Sequence, residues 1–78
     1  MEDSLLTVTG RLPHHQRDLA LDVCVEVIAI APGLPGGHPG RAARSAAMLL
    51  LEMAIPELES FARRDLAHAC ERAVVAPA

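Results

Sequence analysis

Residues Leu19–Ala31, LALDVCVEVIAIA, decide the fold. Two periodicities compete in them. Val23, Val25, Val27, Ile28 and Ile30 are β-branched and favour a strand, and every odd position from Leu19 to Ala31 is apolar. The helical reading fits as well. Asp18, Asp22, Glu26 and Ala29 then form one narrow stripe at i, i+4, i+8 and i+11, with apolar residues on the remaining arc. Length decides between them: this run is more than twice a mean strand of about 5–6 residues but ordinary for a helix. Residues 13–31 are therefore read as a helix, with Pro13 at its start, where a missing N–H is no loss. A strand over 19–31, giving an α+β fold, is the alternative. A helix apolar over most of its girth calls for burial on several sides.

Downstream, residues 32–40 (PGLPGGHPG) hold three prolines and four glycines and read as a loop. Residues 41–55 are rich in alanine and leucine, strong helix formers, and form the next helix. Pro56 lacks an N–H and clashes with the carbonyl four residues back, so the helix kinks or restarts there. From 57 to 74 the pattern is amphipathic. Leu58, Phe61, Ala62, Leu66, Ala69 and Ala73 share one face, and Glu59, Arg63, Arg64, His68, Glu71 and Arg72 mostly point away. Residues 76–78 are expected to fray. Upstream, residues 1–11 form an arm in which Leu5–Thr9 reads as a brief strand or an ordered extension closed by Gly10.

These pieces predict an all-α chain, a helical hairpin with its second arm kinked at Pro56. At about 1.5 Å per residue the first helix spans ~28 Å and the second arm ~50 Å. The second arm overhangs the first, and Ile55–Pro56 holds no glycine to reverse the chain. The expected assembly is a dimeric four-helix-type bundle, with a three-helix bundle turning at Pro56 as the alternative.

Composition points the same way. The chain has 78 residues, enough for a single small domain, yet 51% are apolar and the mean hydropathy is +0.27. That surplus is the main argument for a homo-oligomer, a dimer favoured, or for another protein partner. The net charge is −3, all seven basic residues are arginine, and Phe61 is the only aromatic. An acidic, aromatic-poor chain argues against nucleic-acid binding. The absence of lysine beside so much alanine is associated with GC-rich bacterial genomes. Glu2 and Asp3 stand where a signal peptide carries positive charge, and no apolar run approaches the ~20 residues of a membrane span. A cytoplasmic protein without membrane contact is the expectation, with Cys24 and Cys70 as free thiols filling the core.

Candidate chemistry is sparse. Asp65 and His68 stand at i and i+3, the spacing of the carboxylate–histidine element in di-metal bundles, with Asp22 or Glu26 as facing donors. A hairpin centred near residue 36 places Asp65 opposite residue 7 instead, so a metal there needs a partner subunit. Gly36, Gly37, His38, Arg41 and Arg44 combine glycines with positive charge at a helix start, a physical recipe for anion binding that matches no phosphate-loop spacing. His14 and His15 point about 100° apart on a helix and suit a polar first turn. No spacing assembles a nucleophile, base and orienting group, so no catalytic residue and no cofactor is assigned. The leading expectation is an oligomerisation or protein–protein interaction module, an accessory or regulatory subunit. Its interface would be the face of Leu58, Phe61, Ala62, Leu66, Ala69 and Ala73. The second is a helical protein binding a small molecule or metal in an intersubunit pocket.

Overall fold

A computed structural model describes residues 4–75. Its helices are α1 (Leu5–Gly10), α2 (His14–Ile30), α3 (Pro39–Ala54) and α4 (Ser60–Val75), with a single 3₁₀ turn at Ala31–Gly33 after α2. Among the described residues there is no strand, so residues 19–31 resolve in favour of the helix. Residues 1–3 of the expected arm and the expected fraying at 76–78 lie outside the described residues.

The upstream segment corrects the expectation of a strand. Ser4 caps α1, its side-chain oxygen accepting from the Thr7 N–H at 3.1 Å, and the Thr9 hydroxyl donates to the carbonyls of Leu5 and Leu6. Val8, Thr9 and Leu12 are buried, so α1 closes one end of the core. Arg17 then reaches back from α2 and donates through Nη2 to the carbonyls of Gly10 and Leu12, satisfying groups that the end of α1 leaves open.

The larger correction is at Pro56. The second arm does not kink and continue; it reverses. Pro56 forces the residue before it out of the helical region, and Ile55 sits at φ −133°, ψ 76°, ending α3 at Ala54. Leu58 N–H donates to Ile55 O at 3.0 Å, closing a turn with proline at its second position, which needs no glycine. Ile55 and Leu58 are both buried and anchor the turn, and Arg63 Nη2 donates to Leu58 O at 3.2 Å. Helix α4 thus returns antiparallel along α3. At the far end of that hairpin, Arg44 of α3 pairs with Glu71 of α4 at 3.5 Å. The radius of gyration is 11.5 Å, the value of about 11.5 Å expected for one folded chain of this length. No arm overhangs, and the helices pack against one another within one chain.

The core is a layer of small residues around a few large ones. Leu51, Ile55, Leu66 and Val27 are its largest fully buried side chains, with Ala20, Ala43, Ala47 and Ala67 between them. Alanine at these positions lets helix backbones approach closely. Gly40 carries this furthest, since a Cβ there would stand 2.5 Å from Val75 Cγ1.

Candidate functional site

The bundle covers α2 on one stripe only. Gln16, Ala20, Cys24 and Val27 are buried, spaced at the intervals that place them on one side of a helix. The rest of its apolar arc remains at the surface: Leu19, Val25 and Ile30 are exposed, and Leu21, Val23 and Ile28 are half-buried. On α3 the neighbouring flank is also apolar, with Leu50 half-buried and Leu49 and Met53 exposed at 63% and 75%. The burial on several sides that α2 calls for is therefore not supplied within the chain.

Between the two helices lies an open cleft of ≈ 520 Å³. Leu19, Val23 and Ile30 line it from α2, and Leu50, Met53 and Ala54 from α3; its only charged lining residues are Asp22 and Glu26. The surface continues around α2 past Leu21, Val25 and Ala29. The acidic stripe thus runs along α2 with apolar residues on both sides. Two carboxylates one helical turn apart give this face a negative edge beside a greasy floor.

The other candidate residues are scattered. Asp65 lines a small pocket of ≈ 150 Å³ with Arg11, Gln16, Glu57 and Glu59, between the ends of α1 and α4. His68 faces α3, its Nδ1 3.8 Å from Glu71 Oε1. Asp22 and Glu26 stand on the α2–α3 face. The four do not converge, and among the described residues no group of three or more His, Cys, Asp or Glu side chains could hold a metal ion. Gly36 and Gly37 adopt positive φ in the exposed loop, which explains the glycines by turn geometry. His38 and Arg41 are exposed, and Arg44 is held by Glu71. Arg44, Ser45, Arg64 and His68 do line one cleft of ≈ 260 Å³. Glu71 already holds Arg44 and His68, so an anion entering there would compete with a built-in carboxylate.

The proposed interface on α4 is placed largely inside the molecule. Leu58, Ala62, Leu66 and Ala69 are buried in the chain's own packing, while Phe61 and Ala73 are exposed. The exposed apolar face lies instead on α2 and α3. Its signal was present in the sequence as an apolar arc too wide for one contact stripe. The two cysteines, 46 residues apart and separate in a simple hairpin register, are neighbours: Cys70 Sγ lies 4.0 Å from Cys24 O.

No helix among the described residues is long and apolar enough to cross a membrane. Comparison with protein-family models finds no match, and comparisons with curated proteins and with solved structures find none either.

Proposed function

We propose that this chain is a protein–protein interaction module whose docking face is the α2–α3 cleft, and that its partner presents an amphipathic helix edged with arginine or lysine. The observation that carries the reading is the cleft itself, an apolar floor with Asp22 and Glu26 as its only charges. A helix laid into such a groove buries one apolar stripe and leaves its flanks at the rim. Basic residues on the flank beside α2 would meet the two carboxylates, which adds selectivity and speeds encounter more than it adds affinity. The exposed Leu19, Ile30 and Met53 supply the apolar anchors.

A second copy of the chain fits this face less well. A twofold apposition of α2 on α2 sets Asp18, Asp22 and Glu26 against the same residues of the other copy, and like charges brought together across an interface cost several kcal/mol. A chain of net charge −3 offers no basic stripe on α2 or on the α3 flank to offset them.

The test is a selection of binders to the chain from a display library of random peptides of helix-forming length. Enrichment of sequences with apolar residues at i, i+3/i+4 and i+7 beside arginine or lysine supports the reading. Enrichment without a charge bias, no enrichment at all, or saturation of the face by dimerisation in light scattering overturns it.

A further inference from the structure

We propose that Cys24 and Cys70 form a peroxide-oxidisable dithiol that closes into an intrachain disulfide joining α2 to α4. This inference is independent of the docking face. The two residues are the chain's only cysteines, and both side chains are free and fully buried. The Cys70 thiol donates to the Cys24 carbonyl oxygen at 4.0 Å, so its sulfur lies against the backbone that carries Cys24. Ala20, one turn before Cys24 on α2, and Ala67, one turn before Cys70 on α4, are each wholly buried and on the same side of their helix as the cysteine. Close backbones are what a disulfide needs, because its Cα atoms sit about 4.4–6.8 Å apart.

Either sulfur can attack first, and both orders give the same disulfide. Hydrogen peroxide is small enough to reach the pair through local opening of a small bundle. With Cys70 first, its thiolate attacks one peroxide oxygen; an S–O bond forms, the O–O bond breaks, and the departing hydroxide takes the thiol proton as water. Cys24 then attacks the sulfenic sulfur; the S–S bond forms, the S–O bond breaks, and a second water leaves with the Cys24 proton. Two thiols and one peroxide give one disulfide and two waters.

The experiment treats the full chain with hydrogen peroxide and follows it by intact mass and by peptide mapping without reductant. The expected product has lost two hydrogens, yields a Cys24–Cys70 linked peptide, and unfolds at a temperature higher by on the order of 10 °C, a gain that reductant reverses. In C24S and in C70S no disulfide closes within the chain, and the remaining thiol stops at a sulfenic acid that dimedone traps. Recovery of both wild-type thiols in reduced form, at a dose that oxidises an unstructured cysteine peptide, overturns the proposal. A disulfide linking two chains overturns it as well.

Discussion

Gly40 and Val75, at opposite ends of the α3–α4 hairpin sequence, meet so closely that a Cβ on the glycine would stand 2.5 Å from Val75 Cγ1 and 3.3 Å from Glu71 Cγ. This contact sets how near the end of α4 comes to the start of α3. Gly40→Ala improves helix propensity by up to about 1 kcal/mol, but the added methyl meets a branched side chain. The net result expected is a loss of about 1 kcal/mol in chemical denaturation. Gly40→Ala combined with Val75→Ala removes the obstructing methyl, so the double variant should be more stable than Gly40→Ala alone. Additive losses would show that the contact does not govern the approach of the helices.

Leu51 is fully buried at the heart of the core, one turn before the Ile55–Leu58 turn. Leu51→Ala leaves a cavity among alanines that have no side chain to fill it, and should cost about 2–5 kcal/mol. In so small a bundle that is much of the total stability. Circular dichroism should show the variant largely unfolded on mild warming, and an unchanged melting curve would contradict the packing described.

Arg17 and Arg63 do the same task at two corners. Each donates through Nη2 at 3.2 Å to the carbonyl five residues earlier, Leu12 and Leu58 respectively. Replacing Arg63 with methionine keeps the aliphatic stem and removes the donor. It should cost about 0.5–1.5 kcal/mol. Mutation of Arg64, an exposed neighbour, should change stability by less than about 0.5 kcal/mol. Equal effects in urea titrations would remove the distinction between the two arginines.

Leu49 and Met53 pack little within the chain, being mostly exposed. Met53→Asp should leave the melting temperature nearly unchanged while abolishing capture of any peptide selected on the wild-type chain. Loss of folding instead would make Met53 a core residue. Retention of peptide binding would move the docking face elsewhere.

Much of the fold was legible in the sequence, and the exceptions have physical causes. Length identified α2 as a helix despite its β-branched residues, because Asp18, Asp22 and Glu26, four apart, share one side of a helix and of a strand alike. Ser4, a ready N-cap, was the signal for α1, but a six-residue helix has too few periods to stand out against LLTVT. The reversal at Ile55–Leu58 stands second in the sequence reading, as the alternative turn at Pro56, because no glycine marks it. Proline at the second turn position serves as well, and the buried Ile55 and Leu58 fix it. From that misplaced turn followed the apparent separation of Cys24 from Cys70 and the reading of Leu66 and Ala69 as an interface. The apolar surplus was read correctly in amount, but its location needed the three-dimensional packing, which takes the α4 stripe inward and leaves the flanks of α2 and α3 outside.

The docking account rests on the charge of two side chains, and reversing them tests it most directly. Peptide selection is repeated on Asp22→Lys/Glu26→Lys, both surface positions whose substitution should leave the fold intact by circular dichroism. The account predicts that the apolar spacing of the enriched peptides persists while their charged flank changes from arginine and lysine to aspartate and glutamate. Enrichment of the same basic peptides by both chains would contradict it.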